Sequence, residues 1–177
     1  MRLTHAVLVF GMMVGCGGGE GIGQSKQATT PWGVSFTILG RGTYDAFNVH
    51  RHDPGFDVKL KSKQPLDVVS QTVTFEPGGF SGWHTHLGPV YISVIEGAVR
   101  SFDGSLPGCP YDDLSAGQGV VKAHESSFRH MVKNYGTVEA KLLVTYLIPV
   151  GTMPRIDTPD PNNPDCPNRD FIPPPGP

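Results

Sequence analysis

Residues 78–97 read GGFSGWHTHLGPVYISVIEG, and the interpretation of the whole chain starts from this stretch. A glycine-rich turn leads into His84 and His86, which are separated by one residue, and an apolar run follows. In an extended strand the side chains of residues i and i+2 point to the same face. Both imidazoles can therefore converge on one point, and imidazole is the commonest metal ligand in proteins. Standing alone, such a pair would be interpreted as two solvated histidines.

A second stretch, residues 128–134, contributes a third histidine. Together the two stretches resemble the two sequence motifs of the cupin superfamily. The matching positions are Gly78, His84, His86 and Gly97 in the first motif and Gly119, His130 and Asn134 in the second. The segment WHTHLGP at 83–89 further resembles a group of small single-domain bacterial cupins of the type-2 kind. The resemblance implies a single jelly-roll β-barrel.

The resemblance is incomplete at one metal ligand. The glutamate of the first motif falls on Val90, or on Tyr91 if the motif is counted with one more residue. Strand alternation favours Val90, because it shares a face with the two histidines if no bulge intervenes. The resemblance thus implies a divalent-metal site formed by His84, His86 and His130. The candidate ions are iron, manganese, zinc, nickel and copper.

Four further residues are candidates for contacts around the metal: Tyr91, Tyr146, His124 and Glu125. Tyr146 lies on the last predicted strand, and the pattern does not determine which face it uses. His124 is either a fourth ligand or a histidine of a surface loop. Asn134 is interpreted as a turn residue, because asparagine hydrogen-bonds its own backbone in turns.

Short runs that alternate apolar and polar residues predict an all-β domain over residues 32–155. A second HxH sequence, His50 to His52, lacks a preceding glycine turn and is predicted to lie on the surface. Residues 40–42 are predicted as a turn and residues 103–115 as a loop. The predicted strands are 32–39, 44–50, 56–61, 67–75, the strand of His84 and His86, 98–102, 119–122, 128–133 and 139–149.

The two ends of the chain have a different character from this domain. Residues 1–15 combine Arg2 with an apolar core too short to span a bilayer, which predicts a signal peptide. Met13 to Cys16 resembles a lipobox, which implies lipidation of Cys16; ordinary secretion is the alternative. Residues 16–31 are predicted as a flexible tether. Residues 156–177 form a proline-rich tail that either packs on the barrel or has no fixed structure.

The chain contains three cysteines. If Cys16 is lipidated, Cys109 and Cys166 remain as a pair. Export would place this pair in an oxidising compartment, which favours a disulfide between them. The alternative is two free thiols.

The expected location is the bacterial envelope, where a lipid-anchored protein would face the periplasm or the cell surface. The formal net charge is −2, and no basic patch indicates nucleic-acid binding. The expected partners are a small-molecule ligand, the membrane, and a second copy of the chain in a homodimer. Two functions remain open: an iron-dependent, dioxygenase-like enzyme acting on a small molecule, and a non-catalytic cupin that binds a small ligand or metal. The fold does not choose between them.

Overall fold

The computed structural model describes residues 27–123 and 128–167, and within these ranges it contains strands and no helix. No segment in the same ranges therefore forms a helix that could cross a membrane. The all-β fold predicted from the alternating pattern is confirmed. The strands are β1 (Trp32–Tyr44), β2 (Phe47–Asp53), β3 (Phe56–Ser62), β4 (Leu66–Phe80), β5 (His84–Thr85), β6 (Val90–Glu96), β7 (Ala98–Asp103), β8 (Tyr111–Ser115), β9 (Gly119–Lys122), β10 (His130–Lys133), β11 (Ala140–Pro149) and β12 (Ile156–Asp157).

Ten strands form one antiparallel sheet that curls into a barrel, and seven of them follow the order β12-β5-β10-β4-β11-β6-β9. Strand β4 is the centre of this sheet, because it pairs with β1 on one side and β11 on the other. Strand β7 joins β10 to β8. The arrangement places β5, which carries His84, directly beside β10, which carries His130.

The core lies inside the barrel and follows from strict alternation along the longest strands. Alternate residues of β4 and β11 are buried, and β6 begins with the same pattern. Their inward side chains form one apolar cluster with residues of β7, β8 and β10. Burying each valine, leucine or phenylalanine contributes about 1.5–3 kcal/mol. The cluster includes Val73, Phe75, Ile92, Leu142 and Val144.

Two segments differ from their predicted structure. Residues 40–42 continue β1 instead of forming a turn, and the pairing with β4 shifts register between Ile38 and Gly40. The predicted loop at 103–115 contains β8, a strand of sequence YDDLS in which only Leu114 is buried. This strand was missed because it shows no apolar alternation. It is held instead by pairing with β7, including a bidentate ion pair from Arg100 to Asp113.

Strands β2 and β3 form a separate two-stranded hairpin. Its cross-strand register places His50, His52 and Asp57 on one face, and all three are exposed. The surface position predicted for the two histidines is confirmed. The other face carries exposed apolar side chains, including Val49 and Leu60. The homodimer expected from the sequence stays a prediction.

The first residues of the predicted tail pack on the barrel. Strand β12 pairs with β5, and Cys166 forms the predicted disulfide with Cys109. The Asn163 side chain donates hydrogen bonds to the carbonyls of Gly104 and Leu106. From the other end of the chain, the buried Thr29 hydroxyl accepts a hydrogen bond from the Trp83 amide. Cys16 and most of the predicted tether and signal peptide lie outside the described residues.

We expect loss of the disulfide to destabilise the protein and loosen the tail. The bridge joins residues 57 positions apart, and the chain-entropy model assigns such a loop roughly 4 kcal/mol. Urea denaturation of Cys109→Ser/Cys166→Ser should show a loss of up to that size. Wild-type protein treated with reductant is the matched control and should show a similar loss, whereas reductant should not affect the double variant. Equal stability of the variant and the wild type would refute a structural role for the bridge.

Candidate metal centre

Three histidines meet inside the barrel at one end of the core. His84 and His130 occupy paired positions on β5 and β10, and His86 follows β5 by one residue. The three rings have centroid separations of 4.1 to 4.9 Å. One ligand nitrogen from each lies within 4.8 Å of the others. Each residue is less than a tenth exposed, so a bound ion would be largely shielded from water.

The turn before β5 sets the direction of His84. Gly82 has a φ of +68°, and a Cβ there would lie 2.6 Å from the carbonyl oxygen of Thr29, so only glycine fits. The turn is docked on β10 because the amide of Ser81 donates to the carbonyl of Val132 and the amide of Val132 donates to the Ser81 hydroxyl. Trp83 is buried in a second apolar cluster that includes the disulfide. The glycine-rich turn thus fixes where β5, the strand that carries His84, begins.

Backbone carbonyls determine which ring nitrogens are available to a metal. The Nδ1 of His84 lies 2.9 Å from the carbonyl oxygen of Gly82, and the Nδ1 of His86 lies 2.6 Å from that of Pro154. A carbonyl oxygen only accepts hydrogen bonds, so both Nδ1 atoms carry the proton. Both Nε2 atoms are left with a lone pair, the arrangement found where histidines bind metals. The Nε2 of His86 and the Nε2 of His130 are 2.8 Å apart and can face the same ion.

Burial keeps two of these histidines neutral. It lowers the pKa of His84 well below its usual value, and the neighbouring His130, Arg155 and His86 lower it further. Burial lowers the pKa of His86 to about 4, although the hydrogen bond to Pro154 opposes the change. Neutral imidazole is the form that ligates metals, so both rings are ready to bind at neutral pH.

Small cavities lie on two sides of the histidines. The inner cavity, of about 30 Å³, is lined by apolar residues of the barrel wall together with the three histidines, Ser81, Tyr146 and Arg155. The outer cavity, of about 20 Å³, is lined by His86 and His130 with residues that include Val90 and Lys122. A larger groove of about 380 Å³ lies elsewhere, beside Arg100, and contains no histidine.

Of the four residues predicted to surround the metal, Tyr146 lies beside the histidines and Tyr91 does not. Tyr146 points inward, and its ring centroid lies 5.1 Å from that of His86. Gln71 donates to the Tyr146 hydroxyl oxygen at 2.6 Å, and burial raises the pKa of this tyrosine. Tyr91 lies on the outer face of β6 and is 38% exposed, so the structure directs it away from the histidines. His124 and Glu125 lie outside the described residues.

Alternation along β6 explains why Val90 is buried and Tyr91 is exposed. Val90 is 1% exposed and lines the outer cavity beside His86 and His130. The single strand predicted over these residues is not found: β5 ends at Thr85, which is buried like His84 and His86, and β6 begins only at Val90. Asn134 is buried, and its side chain donates to three carbonyls and accepts from the Gly136 amide. It holds the turn that follows β10, in agreement with its interpretation as a turn residue.

Arg155 is a member of the site that the sequence did not reveal. Its guanidinium donates to the carbonyl of Ser81 and, through Nε at 2.5 Å, to the carboxylate of Asp157. The Cζ atom lies 5.6 Å from the ring centroid of Phe36. Because Arg155 follows the last long strand and enters the barrel from the tail, no strand periodicity could predict its direction. The resemblance to a known family placed metal ligands only within the two motifs.

A second group of metal-ligating residues is found on the β2–β3 hairpin. Asp57 contacts His50 Nε2 at 2.8 Å and His52 Nδ1 at 3.2 Å. All three side chains are at least half exposed. The sequence showed the two histidines but not the carboxylate, which comes from the neighbouring strand. This exposed group is a competitor in any metal titration and has to be controlled for.

No family model and no curated protein matches the chain in sequence. Among solved structures, the chain is similar to a Bacillus subtilis oxalate decarboxylase studied for its Mn(II) centres, with 21% identity and a TM-score of 0.44 over 51% of this chain and 23% of that one. It is similar to a Lactobacillus farciminis oxalate decarboxylase in complex with formate, with 17% identity and a TM-score of 0.44 over 51% and 26% of the two chains. It is also similar to the Cupin_2 domain of an XRE family transcriptional regulator from Enterobacter cloacae, with 13% identity and a TM-score of 0.42 over 66% and 97%. The chain spans about a quarter of the length of the decarboxylases, and similarity at this level specifies neither a ligand nor a reaction.

We expect the metal-free protein to lose stability as the pH falls from about 6.5 toward 4. In the unfolded chain His84 and His86 titrate near 6.5, whereas burial keeps them neutral in the folded protein to a lower pH. The unfolded state therefore binds more protons in this window. The free energy of unfolding should fall by up to roughly 1.4 kcal/mol per pH unit for each histidine.

Urea denaturation of the metal-free protein at pH 7, 6 and 5 measures this slope. His86→Gln is the matched control, because it removes one of the two titrating rings and should make the slope shallower. A stability that stays flat between pH 7 and 5 would show that the histidines are not held neutral by burial.

Proposed function

We propose that this chain is a metal-binding barrel protein in which His84, His86 and His130 hold one divalent cation. The observation that carries the proposal is the pair of hydrogen bonds from His84 and His86 Nδ1 to backbone carbonyls, which leave both Nε2 atoms with lone pairs in a buried group of three histidines. The three rings form a neutral donor set that suits iron, manganese, zinc, nickel or copper. The ion therefore keeps its full charge at the site.

Three protein ligands leave coordination positions for exchangeable molecules, as in catalytic metal centres. The inner cavity adjoins the three histidines and provides room for a small ligand. We therefore propose that the centre binds a small molecule at the metal. An iron ion in this place would supply dioxygen chemistry, and the Tyr146 hydroxyl beside His86 is available to donate a proton to a bound ligand.

Two classes of function follow from this site and are separated by one measurement. If the protein is an oxygenase, the iron-loaded form consumes dioxygen when its substrate is present. If the protein is a non-catalytic binder, it takes up metal and ligand without consuming dioxygen. The metal content of protein purified from its own cells shows whether iron is the resident ion.

We also propose that the chain is exported to the bacterial envelope and anchored there by lipid on Cys16. Support comes from the lipobox-like sequence at residues 13–16 and from the disulfide between Cys109 and Cys166. Disulfides persist in oxidising compartments and are rare in the cytosol. A tethered barrel at the membrane surface would take its ligand from the envelope space.

We predict that His84→Ala, His86→Ala and His130→Ala each weaken metal binding by at least about 100-fold. Losing a residue that only orients a ligand already costs about 10–100-fold, and loss of a ligand itself should cost at least as much. Isothermal titration with Zn(II) and Fe(II), the latter without oxygen, measures the effect. His50→Ala/His52→Ala is the matched control, because it removes the exposed group of the hairpin.

The control variant should retain the tight binding event with a stoichiometry of one ion per chain. If His130→Ala binds as tightly as the wild type, the three-histidine centre is wrong. If the tight event disappears in the hairpin variant instead, the metal belongs to His50, His52 and Asp57.

We predict that Cys16→Ser releases the protein from membranes into the soluble fraction of the envelope. Two or more acyl chains give stable anchoring, whereas a protein without them has no comparable hold on the bilayer. Fractionation of cells that express each form measures the change. Cys109→Ser is the control for loss of a cysteine and should stay with the membrane; equal membrane association of Cys16→Ser would contradict the lipid anchor.

A further inference from the structure

We propose that the inner cavity binds a small oxyanion, held by Arg155 and Tyr146 against the metal. This inference rests on the proposed metal centre, because the anion would fill a coordination position that the histidines leave open. The ligand class is a planar anion of a few heavy atoms that presents two oxygens, such as a one-carbon carboxylate or an inorganic oxyanion. The reasons are the donors, the charge and the size of the cavity.

The first reason is the hydrogen-bonding capacity of Arg155. A guanidinium has five N–H donors, and two are used by the carbonyl of Ser81 and the carboxylate of Asp157. Within the described part of the chain, the Nη1 donors have no partner. Arg155 lines the inner cavity, and the planar fork of a guanidinium fits two oxygens of one anion.

The second reason is that the described residues lining the cavity offer hydrogen-bond donors and include no acidic side chain. Tyr146 accepts a hydrogen bond from Gln71, which leaves its own O–H to donate. The Nδ1 protons of His84 and His86 are occupied by backbone carbonyls. Neither aspartate nor glutamate is among the described residues that line this cavity. The walls therefore favour a ligand that only accepts hydrogen bonds.

The third reason is the contrast with the other cation near the histidines. Lys122 lines the outer cavity, but its Nζ lies 3.2 Å from both carboxylate oxygens of Asp103 and 2.7 Å from Asp112. Two carboxylates thus offset one ammonium on that side. Arg155 has one carboxylate partner, Asp157, which is about half exposed and contacts only the Nε edge. The Arg155–Asp157 pair has no net charge, whereas the outer side has one carboxylate in excess, so the inner cavity is the more favourable side for an anion.

The size of the cavity limits the ligand. A single water molecule needs a cavity volume of roughly 10–15 Å³. The inner cavity, of about 30 Å³, therefore accommodates about two water-sized groups. A one-carbon carboxylate fits this space, whereas a branched carboxylate does not. Seven apolar side chains close the rest of the wall, and they have no hydrogen bonds to offer a larger polar ligand.

The test uses Co(II)-loaded full-length protein, because the visible spectrum of Co(II) reports changes in its coordination. Sodium formate is titrated into the wild type, Arg155→Gln, Arg155→Lys, Tyr146→Phe and the matched control Lys122→Gln. We expect saturable spectral changes in the wild type, formate binding weakened at least tenfold in Arg155→Gln, and wild-type binding in Lys122→Gln. A tenfold loss is what one or two charge-assisted hydrogen bonds contribute. Trimethylacetate should not change the wild-type spectrum.

Co(II) affinity is measured first in every variant, and near-UV circular dichroism checks the fold. If Arg155→Gln binds Co(II) and formate like the wild type, the oxyanion site is refuted and the metal centre stands. If Lys122→Gln loses formate while Arg155→Gln keeps it, the anion binds in the outer cavity and the proposal is also refuted. If Arg155→Gln does not fold, Arg155→Lys and Tyr146→Phe decide, and each should bind formate at least threefold more weakly.

A metal-free arm separates this proposal from the proposed function. If the wild type does not bind Co(II), the metal centre fails, and thermal unfolding of the metal-free protein with and without formate then decides the anion site. Stabilisation of the wild type but not of Arg155→Gln would support a site that holds the anion through the arginine alone. Equal responses of the two proteins would refute it.

Discussion

The hydrogen bond from His86 Nδ1 to the carbonyl of Pro154 is the contact on which the site depends, because it joins two parts of the chain 68 residues apart. Pro154 immediately precedes Arg155 and the short strand β12, which pairs with β5. The same contact therefore sets the tautomer of a metal-binding histidine and fixes the place where the arginine enters the barrel. The disulfide between Cys109 and Cys166 holds the following segment against the loop after β7. The first residues of the segment predicted as a tail, in strand β12, thus help to hold the site in place.

Burying three imidazoles at the end of an apolar core costs free energy, because their ring nitrogens lose hydrogen bonds to water. An unpaired buried polar group costs several kcal/mol, and two backbone carbonyls remove much of that cost by accepting the Nδ1 protons. The Nε2 atoms of His86 and His130 lie 2.8 Å apart and can share one hydrogen bond in the metal-free barrel. A cation would satisfy all three rings at once. Metal binding and barrel stability are therefore coupled, because the ion favours the folded state over the unfolded one.

The sequence predicted what alternation and a known motif encode, and it missed what tertiary structure brings together. The core of β4 and β11 follows from period-2 alternation, whereas the break between β5 and β6, which separates Val90 from the two histidines, was not predicted. Strand β8 is polar and could not be detected in this way. Arg155 lies beyond the last long strand, and its neighbours Ser81 and Phe36 are distant in sequence. For the same reason the sequence did not predict that Asp57 contacts His50 and His52, because strand pairing brings these residues together.

The valine at position 90 and the arginine at position 155 are best understood together. A carboxylate at position 90 would face the histidines and offset part of the charge of a bound cation. The apolar side chain present instead is 1% exposed and leaves that charge uncompensated by the histidines. Arg155 is paired with Asp157, whose side chain is about half exposed, so this pair supplies no net negative charge to offset the ion. A site with this balance needs an anion from outside the protein to become neutral, and the inner cavity has the donors to hold one. The loss of the motif's glutamate thus changes which partner supplies the negative charge, from the barrel wall to the ligand.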